Sequence, residues 1–171
     1  MRVWFDTEFL EDGKTIDLIS IGLVREDGNT LYMESSEFDE ARVRADPWLN
    51  QHVVPHLKNK ECRISRNRIA NNIIEFVAPA VDRKEPVEFW AYFAAYDWVA
   101  LCQLYGRMID LPDGFPMFCR DFKQDIEAAK EELRTGCWKL RKQRKGNHNA
   151  LEDALWLRKE HLRFELGVDR R

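Results

Sequence analysis

The chain opens with three apolar segments that are separated by short polar turns. Residues 2–10, 15–25 and 30–35 are rich in aromatic and β-branched residues, a composition that favours β-strands. Asp12-Gly13 and Asp27-Gly28 separate the segments, and Asp-Gly pairs are typical of tight hairpin turns. The pattern therefore predicts an antiparallel meander of three strands.

Helices and strands alternate in the rest of the predicted chain. Helical spacing of apolar residues occurs near 47–58 and 65–78, and Pro79 is expected to end the second helix. A fourth strand is expected at 87–93 and a fifth near 116–120, with one or two helices closing the chain. Strands first and alternation later favour an α/β fold built in layers.

The first strand carries two acidic residues on one face. Alternation divides its residues between two faces, with Val3, Phe5, Thr7 and Phe9 on one and Trp4, Asp6 and Glu8 on the other. A strand this apolar should lie centrally in a sheet. Carboxylates on a buried strand are costly unless they are paired or bind a metal. Asp6 and Glu8 are therefore candidate metal ligands.

A second acidic motif lies at the start of a predicted helix near the end of the chain. Asn149 is suited to be its N-cap, with Glu152 three residues later. Leucines then recur at helical spacing up to a glycine that can end the helix: Leu151, Leu155, Leu162, Leu166 and Gly167. The helix start makes His148 and Asp153 spatial neighbours.

A fourth acid, Asp97, follows the strand predicted at 87–93 and opens a helix that Gly106 would end. The helix dipole alone favours an acid in this first turn, so capping is an alternative explanation. Four carboxylates and one histidine in this order are nevertheless the groups that a two-metal nuclease needs. Two Mg²⁺ or Mn²⁺ ions about 3.5–4 Å apart require several converging acidic oxygens.

Together these residues resemble the DEDDh family of 3′→5′ exonucleases. Asp6 and Glu8 match the first motif of that family, Asp97 matches the second, and His148-x-Ala-x-x-Asp153 matches the third. The third motif is most similar to those of RNase T, oligoribonuclease and short bacterial exoribonucleases. The second motif of the family usually reads Gly-His-Asn-x-x-Phe-Asp, whereas this chain has Ala-Tyr-Phe-Ala-Ala-Tyr-Asp at 91–97. Loss of the asparagine removes a polar contact with substrate.

The resemblance implies a fold, an activity and a set of roles. The fold would be RNase H-like, a mixed five-stranded sheet flanked by helices, in a single exonuclease domain over residues 1–171. The activity would be 3′→5′ exoribonuclease hydrolysis of terminal phosphodiester bonds at single-stranded RNA ends or overhangs, releasing nucleoside 5′-monophosphates. Asp6 would bridge two metal ions, Glu8 and Asp153 would hold the first, and Asp97 the second. His148 would be the general base, and the protein would be a homodimer.

Two alternatives remain open at this stage. A DNA-directed 3′→5′ exonuclease would use the same five residues. A non-catalytic nucleic-acid-binding module is the alternative of another class, although such a module has no need of clustered acids that repel phosphate. The short chain, which resembles the RNase members most, favours RNA.

Composition indicates the class of protein and the compartment in which it works. The 171 residues are 44% hydrophobic and 33% charged, as in a soluble globular protein with one domain. We expect no membrane span and no signal peptide, and four widely spaced cysteines without a Cys-x-x-Cys pair indicate the cytoplasm and argue against a zinc site.

The net charge of −3 provides no general attraction to nucleic acid, but basic residues are concentrated in one segment. Residues 134–145 contain six basic side chains, no acid and one tryptophan, and a solvated loop is the alternative reading of this segment. The candidate substrate contacts are Thr7, Phe9, Arg141, Lys142 and Arg144. The resemblance implies that the residues just after Glu8, Phe9 above all, lie near the terminal nucleotide. The other aromatic residues near the motifs are expected to lie mostly in the core: Trp4, Trp90, Tyr92, Phe93 and Trp98.

Overall fold

The structure, a computed structural model, describes residues 1–133 and 148–167. Its centre is a five-stranded sheet in the order β3-β2-β1-β4-β5. The strands are β1 (Arg2–Glu11), β2 (Ile16–Arg25), β3 (Thr30–Glu34), β4 (Glu88–Ala91) and β5 (Arg120–Asp121). β1, β2 and β3 are antiparallel to one another, while β4 pairs in parallel with both β1 and β5. The mixed five-stranded sheet and the initial meander are therefore confirmed.

Six α-helices surround this sheet in the described residues. They are α1 (Glu40–Ala45), α2 (Pro47–His52), α3 (Arg66–Asp82), α4 (Ala95–Gln103), α5 (Phe122–Leu133) and α6 (Ala150–Glu165). Short 3₁₀ turns occur at Val54–His56, Lys60–Cys62 and Met108–Asp110. Helices on both faces of a sheet bury the apolar side chains of both faces.

The alternation predicted for β1 is present in the core. Val3 and Phe5 pack in one apolar layer with side chains of α3 and α4. Trp4 points into the opposite layer, which α5 and α6 complete. A smaller cluster joins the end of β1 to α1 and α2 through Leu10 and Leu49. Because both faces of β1 are covered, the strand is central, as its apolar composition predicts.

Several predicted boundaries are wrong. The helix expected at 47–58 ends at His52 and gives way to a 3₁₀ turn, in which Pro55 has no amide hydrogen to continue an α-helix. α3 continues through Pro79 to Asp82 instead of ending there. Ala80 is fully buried, so packing of this last turn offsets the hydrogen bond that proline removes.

The strand predicted at 87–93 ends at Ala91, and the strand predicted near 116–120 is the two-residue β5. α1 has no counterpart among the predicted elements, although Asp39 caps it by accepting a hydrogen bond from the Arg42 amide. The Asp-Gly turns are as predicted, with left-handed φ values of 80° at Gly13 and 90° at Gly28.

α6 lies on β2 at unusually short range. A Cβ atom added to Gly22 would overlap the backbone nitrogen of Leu151 and the carbonyl group of Ala150. Only a glycine therefore allows the first turn of α6 to sit at this place on the sheet. Six residues of α6 are buried: Ala150, Asp153, Ala154, Leu157, Glu160 and His161.

The leucines whose spacing predicts this helix are not among its buried residues. Leu155 is 36% exposed and Leu166 is 77% exposed.

This contact predicts a specific sensitivity at Gly22. We expect Gly22→Ala to lower stability by about 1–3 kcal/mol or more through overpacking against the helix backbone, which corresponds to a decrease of several degrees in Tm. Thermal unfolding followed by circular dichroism measures the change.

Gly13→Asn is the matched control, because a Cβ at Gly13 has no neighbour within 4 Å and asparagine tolerates the left-handed region. An unchanged Tm in Gly22→Ala would show that α6 does not depend on this close approach.

Candidate active site

The site lies where β1 continues past the carboxyl end of β4. The parallel pairing of the two strands runs from Arg2 opposite Glu88 to Trp4 opposite Trp90, and β4 ends at Ala91. Residues 6–8 of β1 therefore project beyond the end of their neighbour. The carboxyl edge of parallel strands is a common place for ligands in α/β sheets.

α4 brings Asp97 to this edge. Asp97 is in the first turn of α4, and its Oδ1 accepts hydrogen bonds from the amide of Thr7 at 2.8 Å and from the hydroxyl of Thr7 at 2.6 Å. The carboxylate is buried. Asp97 is thus held by β1, which a capping role alone does not explain. Thr7 directs both of its polar hydrogens to Asp97, and a direct contact of Thr7 with substrate stays a prediction.

α6 brings His148 and Asp153 to the same place. Asn149 is the N-cap, as predicted, and its Oδ1 accepts hydrogen bonds from the amides of Leu151 at 3.1 Å and Glu152 at 3.3 Å. The helix start therefore has the geometry on which the sequence argument relied. One potential ligand atom from each of Glu8, His148 and Asp153 lies within 4.8 Å of the others.

These groups line an open cleft of about 460 Å³. Its walls contain the four acids and the histidine, together with Thr7, Phe9, Trp48, Tyr92, Phe93 and Tyr96. The structure therefore brings together all five residues proposed for chemistry, and two of the five proposed for substrate binding. The other three, Arg141, Lys142 and Arg144, lie outside the described residues.

Burial raises the pKa values of all four site acids, and repulsion from the other site acids adds to this effect at Asp6 and Glu8. Burial, and next repulsion from the charges of Asp153 and Asp97, raises the pKa of Glu8 to about 8. The pKa of Asp6 is raised well above its ordinary range by burial and then by repulsion from Asp97, Glu8 and Asp153. Burial also raises the pKa values of Asp97 and Asp153, each to about 6.

The donor set fits a hard divalent cation. Within the described part of the chain, no lysine or arginine forms an ion pair with Asp6, Glu8 or Asp97. Converging carboxylate oxygens are the ligands that Mg²⁺ and Mn²⁺ prefer, and a bound cation would relieve the repulsion among them. A metal is thus chemically consistent with this arrangement.

His148 is enclosed by two rings of α2 that the sequence argument missed. The Trp48 ring meets the His148 ring edge to face at 4.7 Å between centroids, and the His52 ring lies 5.4 Å away. Burial, and next the electrostatic effect of the neighbouring His52 and His56, lowers the pKa of His148. The imidazole is therefore neutral at neutral pH, the state that accepts a proton. A signal was available, because residues 48 and 52 share a face of the helix predicted at 47–58.

The aromatic side chains divide between core and cleft. Trp4 and Trp90 are buried as expected, but Phe93 is 62% exposed, so its expected place in the core is wrong. Counted back from Asp97, Phe93 stands where the related motif has asparagine. The ring of Phe9, a predicted substrate contact, stacks on Tyr96 with centroids 5.8 Å apart and an interplanar angle of 14°.

Other expectations concern features away from the cleft. The described cysteines, Cys62, Cys102 and Cys119, are free thiols. Within the described residues no helix combines the length and apolar character needed to cross a membrane.

Comparison with known proteins identifies relatives over nearly the whole chain. The family model of the Rv2179c-like 3′-5′ exoribonuclease domain matches residues 1–162. Two proteins of Mycobacterium tuberculosis are each 42% identical to this chain over 156 residues. They are the 3′-5′ exoribonuclease Rv2179c of strain H37Rv and the 3′-5′ exoribonuclease MT2234.1 of strain CDC 1551. The alignment covers 90% of this chain and 87% of each relative.

A solved structure shows the same fold. Pop2p of S. pombe, in its Mg²⁺ and Mn²⁺ bound form, matches 99% of this chain and 83% of its own with a TM-score of 0.57 and 15% sequence identity. The RNase H-like fold, a mixed five-stranded sheet flanked by helices, is thereby confirmed.

The electrostatics of the site predict how removal of one acid changes stability. In chelator, Asp6→Asn should raise Tm by a few degrees at pH 8 and by less at pH 5. Folding raises the pKa of Asp6. Such a carboxyl destabilises the folded protein more and more as pH rises from the ordinary pKa towards the raised one, so the gain in stability on removing it grows with pH. Thermal unfolding at the two pH values measures this difference.

Asp12→Asn is the control from an exposed turn. Hydrogen bonds from Thr15 and Arg42 lower the pKa of Asp12, so its charge stabilises the fold and its removal should not raise Tm at pH 8. If Asp6→Asn instead destabilised the metal-free protein at pH 8, Asp6 would be a structural residue.

Proposed function

This chain belongs to the Rv2179c-like 3′-5′ exoribonuclease family, and from that premise we propose that it hydrolyses terminal phosphodiester bonds of RNA by a two-metal mechanism. The observation that carries the proposal is the convergence of four acids, with raised pKa values, beside a neutral histidine. Single-stranded 3′ ends or overhangs are the proposed substrates, and nucleoside 5′-monophosphates are the proposed products.

Family membership decides between the alternatives that the sequence left open. An exoribonuclease family favours RNA over DNA as the substrate and makes the chain an enzyme, not a passive binding module. The site agrees with this choice, because four clustered acids would repel a phosphate backbone unless cations lay between them.

The acids are proposed to hold two Mg²⁺ or Mn²⁺ ions. Asp6 would bridge the ions, Glu8 and Asp153 would hold one of them, and Asp97 would hold the other. Two bound divalent cations lower the pKa of water and stabilise negative charge on the attacking and leaving oxygens. Thr7 keeps Asp97 oriented towards this place by its two hydrogen bonds.

His148 is proposed to accept the proton of the attacking water. Its lowered pKa keeps the imidazole unprotonated at neutral pH, and a general base must be in that state to act. The rings of Trp48 and His52 pack against it and restrict its orientation. His148 is therefore proposed as a base and not as a metal ligand.

The proposed substrate contacts surround this centre. Phe9 is suited to contact the terminal nucleotide, since its ring lies in the cleft wall beside the acids and is supported by Tyr96. Thr7 is proposed as a neighbouring contact. Arg141, Lys142 and Arg144 are proposed to neutralise phosphates of the RNA backbone, on the strength of their charge in the sequence.

The assembly and the compartment are proposals as well. The resemblance to RNase T and oligoribonuclease supports a homodimer. Free cysteines among the described residues support a reducing compartment such as the cytoplasm, where thiols stay reduced.

The acidic cluster predicts that activity depends on metal. Hydrolysis of a labelled RNA oligomer should stop in excess chelator and return with Mg²⁺ or Mn²⁺. Ca²⁺ should restore little turnover, because its looser coordination geometry would misplace the attacking water. Gel analysis of the products measures the rate, and full activity in excess chelator would contradict the two-metal mechanism.

The roles of His148 and of the basic segment predict opposite kinetic defects. His148→Ala should lower kcat by roughly 10²–10⁴-fold, the usual contribution of a positioned general base, with metal affinity retained. Replacement of Arg141, Lys142 and Arg144 by alanine should weaken RNA binding and flatten its salt dependence, with kcat nearly unchanged.

Steady-state kinetics and metal titration by calorimetry separate these defects. If His148→Ala weakened metal binding and left kcat unchanged at saturating metal, His148 would be a ligand. Its position within 4.8 Å of Glu8 and Asp153 ligand atoms makes that a real alternative outcome.

A further inference from the structure

Phe93 has a backbone conformation that phenylalanine rarely adopts. Its φ is +59°, in the left-handed region. Among the described residues, only one other non-glycine residue, Lys84, has a positive φ, and it lies just after α3. A bulky side chain in this region costs free energy, and such residues persist only where the surroundings impose the conformation.

Asp121 imposes it. The Oδ1 of Asp121 accepts the Phe93 amide hydrogen at 3.2 Å, and its Oδ2 accepts the Ala94 amide hydrogen at 3.3 Å. The same Oδ1 accepts the amide hydrogen of Lys123 at 2.9 Å, in the first turn of α5. One carboxylate at the end of β5 thus ties the bend after β4 to the start of α5.

Folding gains little from the ring that is held in this way. The Phe93 side chain is 62% exposed, so most of its apolar surface remains in water. Tyr92 contacts it edge to face at 4.7 Å and itself packs against Trp156 at 5.7 Å, which gives the ring a firm support. The Phe93 ring lines the cleft that contains the acids. A supported, exposed ring at this place is suited to bind a flat group of the substrate.

The flat group that a nucleic acid offers is its base. Stacking of a base on an aromatic ring tolerates every base identity, because all four bases have a π-face, and it requires a base that is not paired. An unpaired base is available at a single-stranded 3′ end.

We propose that Phe93 stacks on an unpaired base of the RNA near its 3′ end, and that Asp121 is the positioning residue that holds Phe93 in the cleft wall. The inference rests on the proposed function, since it assigns one binding contact within the same cleft. It gives the site a preference for unpaired RNA without a preference for sequence. The aromatic contact stands where the related motif has a polar asparagine.

The test compares RNA oligomers that differ only by one missing base. Each oligomer carries an abasic nucleotide at one of the last three 3′ positions, and KM and kcat are measured against the intact oligomer in Mg²⁺. For intact RNA, Phe93→Ala should raise KM by roughly 5- to 150-fold and leave kcat nearly unchanged. For one of the abasic oligomers, wild type and Phe93→Ala should have similar KM values.

Two further variants separate the contact from folding. Phe93→Gly removes the ring but readily adopts the left-handed backbone, so it should raise KM as Phe93→Ala does while keeping or raising Tm. Phe118→Ala removes another phenylalanine that is 61% exposed but is not among the cleft residues, and it should leave KM unchanged.

Asp121 is tested by the same ratio of KM values. Asp121→Ala should raise KM for intact RNA more than for the informative abasic oligomer, whereas a purely structural defect would change both equally. Asp121→Asn keeps an oxygen that can accept the Phe93 amide hydrogen, so it should restore part of the difference.

The decisive outcomes are distinct. Equal KM changes for intact and abasic RNA in Phe93→Ala, or no change at all, would overturn the inference. Anisotropy measurements of the same oligomers in Ca²⁺ report binding without turnover. If the wild type bound RNA in a Phe93- and base-dependent way but hydrolysed nothing in Mg²⁺ or Mn²⁺, the proposed function would fail and the stacking contact would stand.

Discussion

The arrangement of the site depends on one close contact, that of the first turn of α6 with Gly22. Gly22 pairs directly with Asp6 across the β1–β2 ladder, so the helix start lies next to the strand position that carries Asp6. His148 and Asp153 flank that start, and their distance from Asp6 and Glu8 follows from how deeply the helix sits. A larger residue than glycine would raise the helix and separate the two halves of the site.

The apolar core around β1 stabilises the fold, which offsets the unfavourable burial of the site acids. Apolar layers on both faces of β1 bury Val3, Phe5 and Trp4 completely. The acids follow within four residues on the same strand, where burial and mutual repulsion raise their pKa values. Burying such a cluster costs folding free energy in the absence of a cation. The apolar first half of the strand, Val3 to Phe5, holds the acids in place. Because β4 ends at Ala91, the cleft beside these acids stays open.

The parts of the fold that local physics determines could be predicted from sequence. The hairpin turns follow from Asp-Gly pairs, the faces of β1 from alternation, and the start of α6 from Asn149 as its N-cap. The conformation of Phe93 could not, because it depends on Asp121, a partner 28 residues away. The place of Trp48 and His52 beside His148 likewise depends on a contact distant in sequence.

Two histidines of this region, His148 just before α6 and His161 within it, have different surroundings and different roles in the fold. His161 accepts a hydrogen bond at Nδ1 from the Trp4 indole at 2.8 Å, and burial lowers its pKa to about 4. It is a neutral core residue that anchors the far part of the helix, and Glu165 one turn later pairs with Arg2 at 2.7 Å. Trp4 and Asp6 lie on the same face of β1, two residues apart. α6 is therefore attached to the sheet in two places, to β1 by His161 and to β2 by the contact of its first turn with Gly22. This double attachment, more than any single acid, is what makes a helix start precise enough to present His148 and Asp153 to the carboxylates of β1.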